Sequence, residues 1–159
     1  MLCYEEWLEE IKDKVYPEEC YSIAEELIGN ESYSEEDIQE FCKKLKDYAS
    51  EDNFSKTGLF ISALINRASN DDITIYLGEL GDKLCYLGYE NEKNLRIIGN
   101  AGEHLGENMR EGKLRVEGRI SKMGKPRGGE IYEGSKLIYP GKLKIMLRRI
   151  ACSLRFGRR

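Results

Sequence analysis

"GNAGEHLGENMREGKLRVEG", residues 99–118, carries glycine at 99, 102, 106, 112 and 118. The spacing is too regular for a linker and too wide for one tight turn. A chain uses glycine where its backbone needs φ > 0 or must lie close against another backbone. Such places repeated along one short stretch describe a chain that turns again and again beside itself.

The pattern extends in both directions. Thirteen of the 16 glycines lie between residues 71 and 141. Short β-like phrases lead into four of them: "ITIYLG" ends at Gly78, "LRIIG" at Gly99, "LRVEG" at Gly118 and "LIYPG" at Gly141. The intervals are 21, 19 and 23 residues. Self-similarity at about 20 residues marks a solenoid, in which each unit is one coil. Aligned this way, Gly81, Gly102 and Ser121 fall at one position, and Gly106 and Gly124 at the next, with the first coil out of step there. Gly112 and Gly134 come just before the following strand. Corners are expected at Gly78, Gly81, Gly99, Gly102, Gly106, Gly112, Gly118, Gly124 and Gly134. Ile73, Ile75, Leu77, Leu95 and Ile97 alternate along the early strands and should line the interior. Leu114, Val116, Leu137 and Tyr139 should do so later, with Leu105, Met109 and Met123 filling from other sides.

The quoted stretch resembles the GXGXG repeat of the right-handed β-helix domain at the C-terminal end of glutamate synthase large subunits. It is similar also to the repeat of the same type carried by one subunit of formylmethanofuran dehydrogenase. The resemblance is good over 95–141, degraded over 73–94, and covers less than half the chain. Ser121 stands where glycine is expected, and "KPRGGEIYEG" is longer than a regular coil. The resemblance implies a structural spacer that packs catalytic domains or subunits together. It brings no catalytic residue with it.

Residues 1–70 read as helices. Tyr4, Trp7, Leu8, Ile11 and Val15 recur at helical spacing among glutamates. Pro17 opens a second helix, striped by Cys20, Ile23, Ala24, Leu27 and Ile28, which Gly29 stops. Ser34 caps a third, striped by Ile38, Phe41, Cys42, Leu45, Tyr48 and Ala49. A fourth, Ser55 to Ala68, is apolar enough to be buried on several sides.

Charge divides the chain in three. Residues 1–70 carry −10, residues 71–141 carry −1, and residues 142–159 carry +7, for a net −4. The acidic head is a solvated face or a dock for something basic. In the tail, Leu143, Met146, Leu147, Ile150, Ala151 and Leu154 form an apolar helical stripe, with Lys144, Arg148, Arg149 and Arg155 beside it. Three roles are open to that helix: covering the open end of the solenoid, pairing with a partner subunit or second copy, or meeting an anionic surface. No aromatic interleaving or known motif supports nucleic-acid binding.

Candidate chemistry is sparse. His104 is the sole histidine, flanked by Glu103 and Glu107. One histidine and two carboxylates make a poor metal site or general base without a further ligand. In "MGKPRGGE", Lys122, Lys125 and Arg127 could meet an anion, but neither GxGxxG nor GxxxxGK[ST] spacing is present. Five scattered cysteines (3, 20, 42, 85, 152) without a CxxC read as small apolar residues of a reducing, cytoplasmic protein. The opening "MLCYEEWLEE" reads as neither signal nor transit peptide. No apolar run reaches the length of a membrane span.

The expected architecture is α+β. A helical domain (1–70) precedes a short right-handed parallel β-helix, a single-stranded solenoid (71–141), and a basic amphipathic C-terminal helix (142–159). The expected function is a non-catalytic scaffold or interaction protein, an accessory or subunit of a larger oxidoreductase or amidotransferase-type assembly. A protein partner or homo-oligomer is expected; no metal, cofactor, nucleic acid or membrane contact is. The rival readings are an enzyme subunit whose partner completes a site around His104, a small-ligand binder at the "GKPRGG" loop with Lys125 and Arg127, and an anionic-surface binder acting through the tail.

Overall fold

Local signals set the helices of the head. The computed structural model describes residues 3–141 together with Met146, Leu147 and Arg149. Helix α1 spans Tyr4–Glu10, α2 Pro17–Ile28, α3 Glu35–Lys44 and α4 Thr57–Asn66. Pro17 occupies the first turn of α2, where its missing N–H costs nothing. Ser34 Oγ accepts from the Asp37 N–H at 3.1 Å, and the Asp37 carboxylate accepts from the Ser34 N–H at 2.9 Å. That reciprocal box fixes the start of α3. The sequence carries the first helix on to Val15, but α1 stops at Glu10 and Val15 is 79% exposed in the connection to α2. The stripe therefore ends at Ile11. The apolar α4 is buried at every residue from Thr57 to Ile65.

Aromatic rings fill the head. Tyr4 lies 5.8 Å from Trp7, 5.0 Å from Phe41 and 5.1 Å from Phe60, ring centre to ring centre. The Trp7 indole N–H donates to the Cys20 carbonyl at 2.8 Å, so its one polar atom is satisfied inside.

After the head the period changes from helical to alternating, and the chain coils. Strands β1 (Asp72–Gly78), β2 (Asn94–Gly99), β3 (Lys113–Val116) and β4 (Glu130–Glu133) stack in sequence order, each parallel to the last. Leu95 stands opposite Ile73 and Leu114, and Ile131 opposite Leu114. All four are buried, as are Ile75, Ile97 and Val116. The other sides of each coil are held mainly by single backbone bonds. The Ala101 N–H donates to Arg119 at 2.9 Å, Gly106 to Leu87 at 2.8 Å, and Arg110 to Asn91 at 3.0 Å. Ala101 pairs parallel with Ile120, and Leu105 with Met123. The result is a β-solenoid of about three turns.

The last turn departs from the expected alignment. The fourth parallel strand is Glu130–Glu133, not the "LIYPG" phrase. That phrase forms β5 (Lys136–Tyr139), which returns antiparallel along β4. Gly134, φ +57°, is the first of two residues in the connecting hairpin, where this conformation suits the strand twist. It is not a coil corner. Leu137, expected inside, is 37% exposed, while Tyr139 is buried.

The first coil is sealed by the head. The Cys85 N–H donates to Ser55 O at 2.7 Å, and Ser62 Oγ accepts from the Tyr89 N–H at 3.1 Å. Helix α3 covers the outer edge of β1. Glu35 accepts from the Thr74 N–H at 2.8 Å, and Gln39 from the Tyr76 N–H at 2.7 Å while donating back to the Tyr76 carbonyl at 3.3 Å. Four helical residues rise about 6 Å and two strand residues about 6.6 Å. The two side chains thus match the step of the missing strand. One cluster of buried residues runs from Tyr4 in the head to Tyr139 in β5. The expected C-terminal amphipathic helix lies, but for those three residues, outside the described residues.

Candidate functional site

The sequence nominated two kinds of residue, and the fold uses them differently. Among the glycines, two reasons separate. Gly81, Gly102, Gly118 and Gly124 have no positive φ. A Cβ would sit 1.8 Å from Asn100 O at Gly81, 2.5 Å from Leu84 O at Gly102, 2.4 Å from Gly99 O at Gly118 and 2.8 Å from Glu107 N at Gly124. Close approach of a neighbouring coil requires them, which is the second of the two reasons for a glycine. Gly99 (φ +132°) and Gly112 (φ +81°) have both constraints, with a Cβ 2.4 Å from Gly78 N and 2.3 Å from Lys93 O. Gly106 (φ +67°) faces the Ile131 side chain, and Gly78 (φ +55°) faces open space. Gly88, which the sequence alignment left out of step, has φ +73° and stands beside Gly106. The phrases "YLG" and "HLG" at 86–88 and 104–106 carried that signal.

His104 stacks on Tyr86 of the preceding coil, ring centres 4.6 Å apart and planes 7° from parallel. Its Nδ1 is 3.8 Å from Glu107 Oε2, beyond hydrogen-bond reach. The Glu107 carboxylate instead accepts from the Lys125 N–H at 3.0 Å. His104 and Lys125 are thus brought to one carboxylate, on adjacent coils, but the Lys125 group that arrives is its backbone. The side chains of Lys125 and Arg127 are exposed.

A phosphate cradle needs amide N–H groups aimed outward. In the "GKPRGG" loop, the Gly124 N–H donates to Leu105 O at 2.7 Å, and those of Arg127 and Gly128 donate to Met109 O at 2.9 Å. With Lys125 on Glu107, these four amides hold coil to coil. Among the described residues, no group of three or more His, Cys, Asp and Glu is arranged to hold a metal ion. The four described cysteines all have thiols pushed up by burial, Cys42 to about 12. A thiolate nucleophile needs the opposite shift. No helix of the described residues is long and apolar enough to cross a membrane.

Two grooves lie elsewhere, on the head. A groove of ≈ 620 Å³ runs between α2 and α3, floored by Leu27, Ile38, Phe41, Phe60 and Leu64. Glu31, Asp37 and Glu40 stand on its rim against one cation, Lys44. A second groove of ≈ 750 Å³ is ringed by Glu5, Glu6, Glu9, Glu51 and Asp52 around Leu8 and Tyr48. Sequence periodicity missed both, because each needs residues from separate elements that only packing brings together.

Compared with protein-family models, curated proteins and solved structures, the chain matches none. The resemblance to GXGXG repeats therefore rests on the glycine spacing of the sequence alone.

Proposed function

We propose that this chain is a non-catalytic scaffold or interaction protein that acts as an accessory or subunit of a larger assembly. The observation that carries the reading is the fate of the reactive residues. His104, Glu107 and four amides of the "GKPRGG" loop are spent on coil-to-coil contacts, while a groove with an apolar floor lies on the acidic head. Such a recess suits a protein surface. The resemblance of 95–141 to GXGXG repeats extends the proposal to an oxidoreductase or amidotransferase-type assembly.

The test is recovery of the tagged full chain from its native soluble extract at moderate salt, with the eluate sized and its components weighed. A stoichiometric second protein is the expected result. Recovery of this chain alone at every salt concentration would overturn the hetero-assembly.

A further inference from the structure

The groove between α2 and α3 and the tail of the chain have matching chemistry. The groove has an apolar floor and an acidic rim. Residues 142–159 carry seven Lys and Arg and no Asp or Glu, and their apolar positions fall at helical spacing. We propose that the 142–159 segment of a second copy of this chain occupies the groove, its apolar stripe on Leu27, Phe41 and Leu64 and its arginines against Glu31 and Glu40. This deepens the interaction reading by naming one partner and the surface it uses.

The fold separates this from folding back within one chain. The tail leaves from Gly141, beyond β5, at the opposite edge of the sheet from β1. Four strand spacings of about 4.8 Å put β1 about 19 Å away, and α3 adds about 10 Å more. Met146 is five residues past Gly141 and reaches at most about 17 Å even when extended. Met146 therefore cannot reach its own chain's groove, and a stripe that includes it cannot lie there as a whole. Met146 and Leu147 are 54% and 55% exposed, so their own chain does not bury them. Exchanged reciprocally about a two-fold axis, such a contact closes a dimer; passed on from copy to copy, it builds rings or chains.

The full chain, sized by light scattering across concentration, should exceed the monomer mass and fall toward it as salt rises from about 0.05 M to about 0.5 M. Met146→Glu with Leu147→Glu changes only exposed positions and should weaken association about a hundredfold. Glu31→Lys with Glu40→Lys should weaken it about tenfold, and Arg148→Glu with Arg149→Glu should restore it. A photo-reactive residue at 147, in a mixture of light and heavy isotope-labelled chains, should join light to heavy at α2 or α3. A monomer at every concentration overturns the proposal. So do links confined to one chain, links to any other face, or a groove filled by residues 1–2 that precede Cys3. A monomer that still co-purifies with another protein would sink this inference and leave the proposed function standing. Self-association without a second protein would do the reverse.

Discussion

The head and the solenoid are held together by opposite means. In the head, large side chains are present and fit: Trp7, Tyr4, Phe41 and Phe60 meet ring to ring, with their polar atoms satisfied. In the solenoid the critical positions are those where side chains are missing. At Gly81, Gly99, Gly102 and Gly112 even one carbon would press on the backbone of a neighbouring coil. The head therefore resembles an ordinary core, in which lost volume is the danger. The coils are a stack of backbones, in which added volume is the danger. Both share one buried cluster, so damage to either should be felt by the other.

The largest effect should come from removing volume in the head. Trp7→Ala deletes a fully buried ring and its bond to Cys20, and should cost about 4 kcal/mol. Urea unfolding followed by circular dichroism reads it. Because α4 closes the first coil, helix and strand signals should be lost together; a surviving strand signal would show that the two regions are independent.

Adding volume to the solenoid comes next. Gly81→Ala places a carbon against Asn100 O at a position without positive φ and should cost about 2–3 kcal/mol. Gly78→Ala meets only the strain of φ +55° in open space and should cost about 1 kcal/mol. Equal costs would mean that coil contact is not what these glycines provide.

A smaller effect is expected where the regions join. Glu35→Ala with Gln39→Ala leaves the Thr74 and Tyr76 amides of β1 without partners. The pair should lose about 1–2 kcal/mol, and those two amides should exchange faster than their neighbours on β2.

The smallest is confined to the head and depends on pH. Hydrogen bonds from the Ser34 backbone and hydroxyl hold the Asp37 carboxyl below the usual carboxylate range. A lowered folded pKa stabilises above the ordinary carboxylate value and is lost as pH falls through the lowered one. Ser34→Ala should therefore cost most at neutral pH and progressively less in acid. A gap that widens in acid would contradict the capping role.

The two regions were also legible to different degrees. Helices α2 and α3 announced themselves through Pro17, Gly29 and Ser34, local signals that need no partner. Val15 misled because a repeat can continue in sequence after the helix has ended. The coils were visible through the glycine repeat and the inward alternation of Leu95, Ile97, Leu114 and Val116. The last turn was misread because "EIYE" has one apolar inward residue, Ile131, and so a weaker pattern than "KLIY", which won the alignment and lost the position. The match of Glu35 and Gln39 to β1 could not be read, since it joins residues 37 or more positions apart whose types are common on any helix surface. The same holds for the groove. Its floor comes from α2, α3 and α4, and only packing brings those residues together.

The most direct test of the coiled stack is native-state amide hydrogen exchange at residues outside the strands. Ala101, Gly106, Arg110 and Gly124 would exchange like loop amides if the chain between strands were ordinary connection. In the stack, each donates to the neighbouring coil, at 2.9, 2.8, 3.0 and 2.7 Å. They should be protected to nearly the same degree as Leu95 and Ile97 in β2. Exchange at loop rates at these four sites, with β2 still protected, would contradict the solenoid.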